Sequence, residues 1–149
     1  MAFYNRLTEA SIRTFRPIGL KATLDTCKEI VAANQARVET KYDLVAFDGD
    51  TIVGWSFLWD LDREHPTFGI GVADAYHGRR LGARLMDAVL EEAKRRAKTG
   101  VELTVVQDNE KAWRMYERRG FVQYDEFVGA DGLLYYRMAL RLAPSAQNQ

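Results

Sequence analysis

A lone cysteine in 149 residues leaves Cys27 with no partner for an internal disulfide, and two histidines beside it argue against a zinc site built from these side chains. No apolar run approaches the ~20 residues that a membrane span needs. The opening Met1-Ala2-Phe3-Tyr4-Asn5-Arg6 lacks the basic-then-apolar order of a secretory signal. An excess of one charge is missing too. Lys plus Arg number 21 and Asp plus Glu 21, so no global field draws the chain to nucleic acid or to a membrane. Together these absences describe a reduced, cytoplasmic chain with no metal, no nucleic-acid partner and no membrane partner. The 47% hydrophobic and 28% charged residues are ordinary for a globular protein. The length suits one domain over 1–149, with its core at about 11–142 and a polar C-terminal tail at 143–149.

Periodicity then places the elements. Ile12 to Arg16, closed by Pro17, reads as a short first strand. Leu20, Leu24, Cys27 and Val31 recur at helical spacing, which predicts an amphipathic helix from Gly19 to about Gln35 with Cys27 on its apolar stripe. Asp43–Phe47 and Thr51–Trp59 flank Asp48-Gly49-Asp50 as a hairpin, the second arm turning Val53, Trp55, Phe57 and Trp59 to one face. Thr67–Val72 alternates Phe68, Ile70 and Val72 against Gly69 and Gly71, so one face is nearly bare and suits close approach of a backbone or a ligand. Leu81–Lys98 carries the strongest helical stripe, with Glu91/Arg95 and Glu92/Arg96 as four-apart pairs and Gly100 as its stop. Val101–Val106 follows as a buried-type strand. A helix capped by Asp108 or Asn109 ends at Gly120, and Phe121–Val128 with Leu133–Leu142 forms a final hairpin. The class is α/β (α+β), a mixed sheet with helices on both faces.

One turn in this order points to chemistry. Tyr76-His77-Gly78-Arg79-Arg80-Leu81-Gly82 joins a strand to a helix. Free backbone N–H groups, a helix N-terminus and two guanidiniums there converge on one point, which favours a phosphate-bearing ligand. Some 27 residues beyond Gly82 stands Asn109-Glu110-x-Ala112-Trp113-x-Met115-Tyr116-Glu117-x-x-Gly120-Phe121. The two patterns together resemble the GNAT superfamily of acetyl-CoA-dependent N-acetyltransferases. The first is similar to its Arg/Gln-x-x-Gly-x-Gly/Ala pyrophosphate loop, and the second to its Asn…Ala…Tyr-Glu-Lys-x-Gly-Phe helix. The likeness covers nearly the whole chain, from Ile12 to Leu142. Arg80 stands where that family usually has its central glycine, and His77 where it usually has Arg or Gln.

The resemblance implies that acetyl-CoA is the cosubstrate, held by His77, Gly78, Arg79, Arg80, Leu81, Gly82 and Ala83 at its diphosphate, by main-chain groups of Ile70, Gly71 and Val72 along its pantetheine arm, and by Asn109. It implies that Tyr116 protonates the departing thiolate while a strand N–H near Ile70–Val72 polarises the thioester carbonyl. Transfer to a primary amine is then direct, in a ternary complex. Glu64 is the first choice for general base and His65 the second, both lying just before the central strand. The acceptor is a small-molecule amine or a peptide or protein N-terminus, selected by Ala36–Tyr42 and Tyr124–Asp131, where Glu39, Asp125, Glu126 and Asp131 favour a cation. The resemblance also suggests a homodimer through the C-terminal hairpin or a sheet edge. The alternative is a catalytically silent acyl-CoA-binding sensor or assembly domain of the same fold. The basic run Lys94-Arg95-Arg96-Ala97-Lys98 and the pair Arg118-Arg119 lie near helix C-termini, where cations are favourable without any nucleic acid.

Overall fold

The computed structural model describes residues 1–143, so the expected tail lies, from 144 onward, outside the described residues. Three short N-terminal helices, α1 (Ala2–Asn5), α2 (Glu9–Thr14) and α3 (Leu24–Gln35), precede a meander of β1 (Lys41–Asp48), β2 (Thr51–Trp59) and β3 (Thr67–Val72). Then come α4 (Leu81–Arg95), β4 (Gly100–Val106), α5 (Glu110–Glu117) and the hairpin β5 (Val122–Val128) and β6 (Leu134–Arg141). The sheet order is β1-β2-β3-β4-β6-β5, and every neighbouring pair is antiparallel except β3 with β4. The expected mixed, mostly antiparallel sheet with helices on both faces is therefore present.

Strand alternation divides the core in two. Under α4 and α5, Leu58, Phe68, Leu103 and Met138 from the strands meet Met86, Val89 and Tyr116 from the helices. On the other face Trp55 and Phe57, with Trp59 beside them, pack against Phe3 and Tyr4 of α1, Phe15, and Cys27 and Ile30 of α3. The aromatic stripe of β2 is thus core, as its alternation predicts, and Cys27 sits partly buried at its margin. The Asp43 carboxylate accepts from Trp55 Nε1 at 2.7 Å, Trp59 Nε1 at 3.2 Å and Asn34 Nδ2 at 2.7 Å, fastening α3 to the first hairpin.

Five local expectations are corrected. Residues 12–16 do not form a strand: most of the segment belongs to α2. Thr8 Oγ1 caps it from Ser11 N at 3.3 Å, and Asp74 holds the hydroxyls of Thr8 and Ser11 at 3.0 and 2.6 Å. Polar capping outweighs the strand preference of Ile12 and Thr14. The next helix begins at Leu24, not Gly19, because Gly19 takes φ +87° and Thr23 caps Thr26 N. Leu20, Leu24 and Val31 are 68, 58 and 53% exposed, so the apolar stripe read from the sequence is not the buried face. α4 stops at Arg95, with Ala97 at φ +54°, and Gly100 already belongs to β4. Glu92 takes Arg95 at 2.5 Å as well as Arg96 at 2.6 Å, leaving Glu91 to Lys94 in place of the expected Glu91/Arg95 pair.

Candidate active site

β3 and β4 touch and then part. Their one paired position among the described residues is Thr67↔Glu102, with Glu102 N–H donating to Pro66 O at 3.0 Å. Beyond it the strands diverge around a cavity of about 810 Å³, lined by Phe68–Val72, Leu103–Val105, the turn before α4 and one side of α5. The hydrogen-bond phase of β3 decides what the opening offers. Ala73 N–H donates to Val53 O at 2.8 Å, so by antiparallel alternation Gly71 and Gly69 also spend their main-chain groups on β2. Phe68, Ile70 and Val72 turn theirs toward the gap. Ile70 N–H and C=O thus remain available. Val72 O already receives His77 Nε2 at 2.9 Å, which ties the turn back to the strand. This corrects the expectation for Gly71, whose amide faces the wrong way to serve a ligand in the gap.

The bare face of β3 is corrected as well. A Cβ on Gly69 would lie 2.1 Å from Phe57 Cζ, and one on Gly71 2.4 Å from Phe15 Cδ1. These glycines make room for the chain's own rings. The opening for a ligand is the strand edge, not that face.

At the wide end of the gap α4 begins without a side-chain cap. Gly78 takes φ +75° and Arg80 φ +60°, ψ +10°, so the N-terminal amides of α4 project toward the cavity. The position where the resemblance expects glycine does require the left-handed region, and an arginine occupies it. A Cβ at Gly78 would meet nothing within 4 Å, and one at Gly82 only ordinary contacts. His77, Gly78, Arg80, Leu81, Gly82, Ala83 and Asn109 all line the cavity, as do Ile70, Gly71, Val72 and Tyr116. Arg79 does not; its guanidinium lies 5.1 Å from the Tyr76 ring centroid. Asn109 is the first residue before α5, yet its side chain makes no capping bond, so its amide is left for the cavity. Lys111 and Arg118 also line it, seven apart on one face of α5, together with Arg119, which is held to Asp87 at 2.8 Å. From sequence alone Arg118-Arg119 reads only as helix-end charge, and the seven-residue spacing from Lys111 is the signal that links Arg118 to the cavity.

Tyr116 stands at the narrow end, 7% exposed, edge-on to Phe68 at 6.0 Å and against Phe121 at 5.8 Å between centroids. Burial pushes its phenol well above the ordinary value, which keeps it protonated. No side-chain hydrogen bond engages its hydroxyl among the described residues, while every fully enclosed side-chain polar atom has a partner. The hydroxyl therefore opens onto the cavity that Tyr116 lines.

Glu64 is not brought there. It is exposed, accepts from Thr99 Oγ1 at 2.6 Å and does not line the cavity. The acidic character expected around an acceptor is also largely spent: Glu39 pairs with Arg96 at 2.6 Å, Asp125 with Arg137 at 3.7 Å, and Asp131 with Arg16. Arg13 holds Asp108 through both oxygens, at 3.0 and 2.6 Å, so α2 is strapped across the gap to the loop before α5. Arg95 and Arg96 are likewise paired, consistent with solvated helix-end charge. No helix among the described residues is long and apolar enough to cross a membrane.

Comparison with known proteins meets this geometry. A family model described as the acetyltransferase (GNAT) family matches residues 4–121. The chain is 36% identical over 85 residues to the mycothiol acetyltransferase of Brachybacterium faecium, covering 52% of this chain but spanning only 25% of that protein. It is 28% identical to the 5-NmdU N-acetyltransferase of Pseudomonas phage PaMx11, over 78% of this chain and 83% of that one. An acetyltransferase of the GNAT family from Streptococcus pneumoniae superposes with a TM-score of 0.79 at 25% identity, covering 95% of this chain and 90% of the other.

Proposed function

The chain belongs to the GNAT acetyltransferase family, and we propose that it transfers the acetyl group of acetyl-CoA to a primary amine by direct attack. The observation that carries this reading is the pairing of a free strand edge at Ile70 with a buried, protonated Tyr116 at the foot of one continuous cavity. The residues fit the coenzyme: amides at the start of α4 with Arg80, Lys111 and Arg118 match its phosphates, and the unpaired edge of β3 matches the amides of an extended arm. Acetyl-CoA supplies an acyl group on a thiol leaving group. The chain supplies the rest. Ile70 N–H is the donor aimed into the gap where charge develops on a carbonyl oxygen, and Tyr116 Oη–H holds the proton that a departing sulfur needs. Among the described residues no activated nucleophile lines the cavity, which supports a single displacement in a ternary complex.

Calorimetry with CoA, followed by a thiol-release screen against spermidine, kanamycin, lysine and an alanine-initiated hexapeptide, tests the reading. Binding with turnover of one of these amines is expected. Absence of CoA binding would overturn it. Tight binding without turnover would place the chain with silent acyl-CoA-binding domains.

A further inference from the structure

A second group of titratable side chains lies on the face of the sheet away from Tyr116. Alternation along β4 sends Val101, Leu103 and Val105 into the core beneath α4 and α5, and Glu102 to the opposite face. Glu102 is also the β4 partner of Thr67, the last contact before β3 and β4 part. It therefore stands level with Phe68, the neighbour of Thr67 that packs against Tyr116. The cavity just beyond this point draws lining residues from both faces, Phe15 and Thr104 from one and Leu103 and Tyr116 from the other. Glu102 and His65 do not line this cavity; Thr104, the next residue of β4 on the Glu102 face, does, so a group entering from that face reaches the carboxylate only through an intervening water.

Glu102 is held in place by its neighbours. His65 lays its imidazole over β4 in the space that Gly100 leaves, where a Cβ would come within 3.0 Å of Nε2. Its Nδ1 lies 3.5 Å from Glu102 Oε1, and the two side chains remain 41 and 30% exposed. Tyr124 of β5 reaches the same carboxylate. Arg137 of β6 is drawn to Asp125 at 3.7 Å and lies over Phe127, while Thr67 on the β3 side donates to Asp60 at 2.7 Å. No arginine or lysine is paired with Glu102 among the described residues, unlike Glu39, Asp125 and Asp131.

We propose that Glu102 accepts the proton of the attacking amine through an intervening water and that His65 positions it. This rests on the acetyltransferase reading above. An alkyl ammonium gives one proton to the carboxylate, which passes it to solvent. The neutral nitrogen then forms the C–N bond as the C–S bond breaks. The bond pair leaves on sulfur, which takes the proton of Tyr116. The second nitrogen proton goes to Glu102 and returns through water to Tyr116, which restores both groups, so one proton is released per turnover. At pH 7 only about one alkyl amine in 2,500 is neutral, against roughly one in ten at pH 9.5, so a proton acceptor matters most at low pH.

The test is the pH dependence of kcat/KM for wild type, E102Q and H65N with the best acceptor of the screen, beside CoA affinity by calorimetry. E102Q is expected to lose ~10²–10³ at pH 7 and to come within about tenfold of wild type at pH 9.5. H65N should show a smaller loss with the same recovery, and neither should change CoA affinity. An E102Q enzyme with wild-type activity at pH 7, or a loss equal at both pH values, overturns the proposal. Wild type that turns over none of the amines removes the underlying reading and this inference with it, and is distinguished by needing no variant.

Discussion

The Phe57 ring fills the space that a side chain on Gly69 would occupy, with Cζ 2.1 Å from where a Cβ would stand. The contact joins adjacent strands beneath the N-terminal helices, so it belongs to the core and not to a ligand groove. G69A is expected to cost about 1–3 kcal/mol through overpacking. F57L should recover part of that loss in the double variant. A urea-denaturation cycle over the four proteins checks the coupling, and additivity would refute it.

Tyr116→Phe removes a hydroxyl without removing its ring. A fall of ~10²–10⁴ in kcat is expected, with CoA affinity within about threefold of wild type. Steady-state kinetics and calorimetry separate the two.

The same residue sets an alkaline limit on stability. Its folded pKa lies above the unfolded 10.0, so its contribution is fully present below pH 10 and is lost as pH rises further, when the unfolded phenol ionises and the folded one does not. Thermal unfolding from pH 8 to 11 should show a steeper alkaline decline in wild type than in Y116F.

Arg80 combines a left-handed backbone with a cation at the cavity. R80G should raise stability by about 1 kcal/mol, since glycine carries no steric cost at φ +60°. It should also weaken CoA binding several-fold, and the difference should shrink between 50 and 500 mM salt. R80A keeps the backbone cost and loses the charge, so it should weaken binding without stabilising. Melting temperatures and salt-dependent calorimetry check both.

Asp74 accepts from Thr8 N at 3.3 Å, Thr8 Oγ1 at 3.0 Å and Ser11 Oγ at 2.6 Å, bonds that hold its carboxyl below the usual range although partial burial pulls the other way. D74A should cost about 1 kcal/mol, allowing for the partial exposure of the site. Amide exchange should rise over α2. In wild type the carboxylate's contribution is present above the unfolded 3.8 and lost as pH falls below it, a loss D74A should not show.

The sheet and the cavity were largely legible in the chain because their signals are local. Alternation fixes β2 and β3, the Asp48-Gly49-Asp50 turn fixes their hairpin partner, and a stepping apolar face fixes α4. The N-terminus was not legible. Ile12 and Thr14 look like strand until Asp74, some 60 residues on, anchors the caps of α2, and no short window contains that contact. Leu20, Leu24 and Val31 have helical spacing, yet which side of α3 is buried depends on the first hairpin. The surroundings of the expected bases were hidden for a related reason. Glu64 and His65 are neighbours in sequence, but one turns to Thr99 and the other to Glu102, whose register against Thr67 no short window contains. Arg80 was read correctly as a departure, while its dihedral had to be observed.

Because β3 and β4 share a single rung among the described residues, the main-chain ladder of the sheet is interrupted between β1-β2-β3 on one side and β4-β6-β5 on the other, while one core beneath α4 and α5 spans both. A molecule lying between the two sides and bonding to both inner rails would complete the ladder that the polypeptide leaves unfinished. Occupancy would then join the two halves of that ladder, slowing exchange at Ile70 and Thr104 together and making folding stability a function of coenzyme concentration.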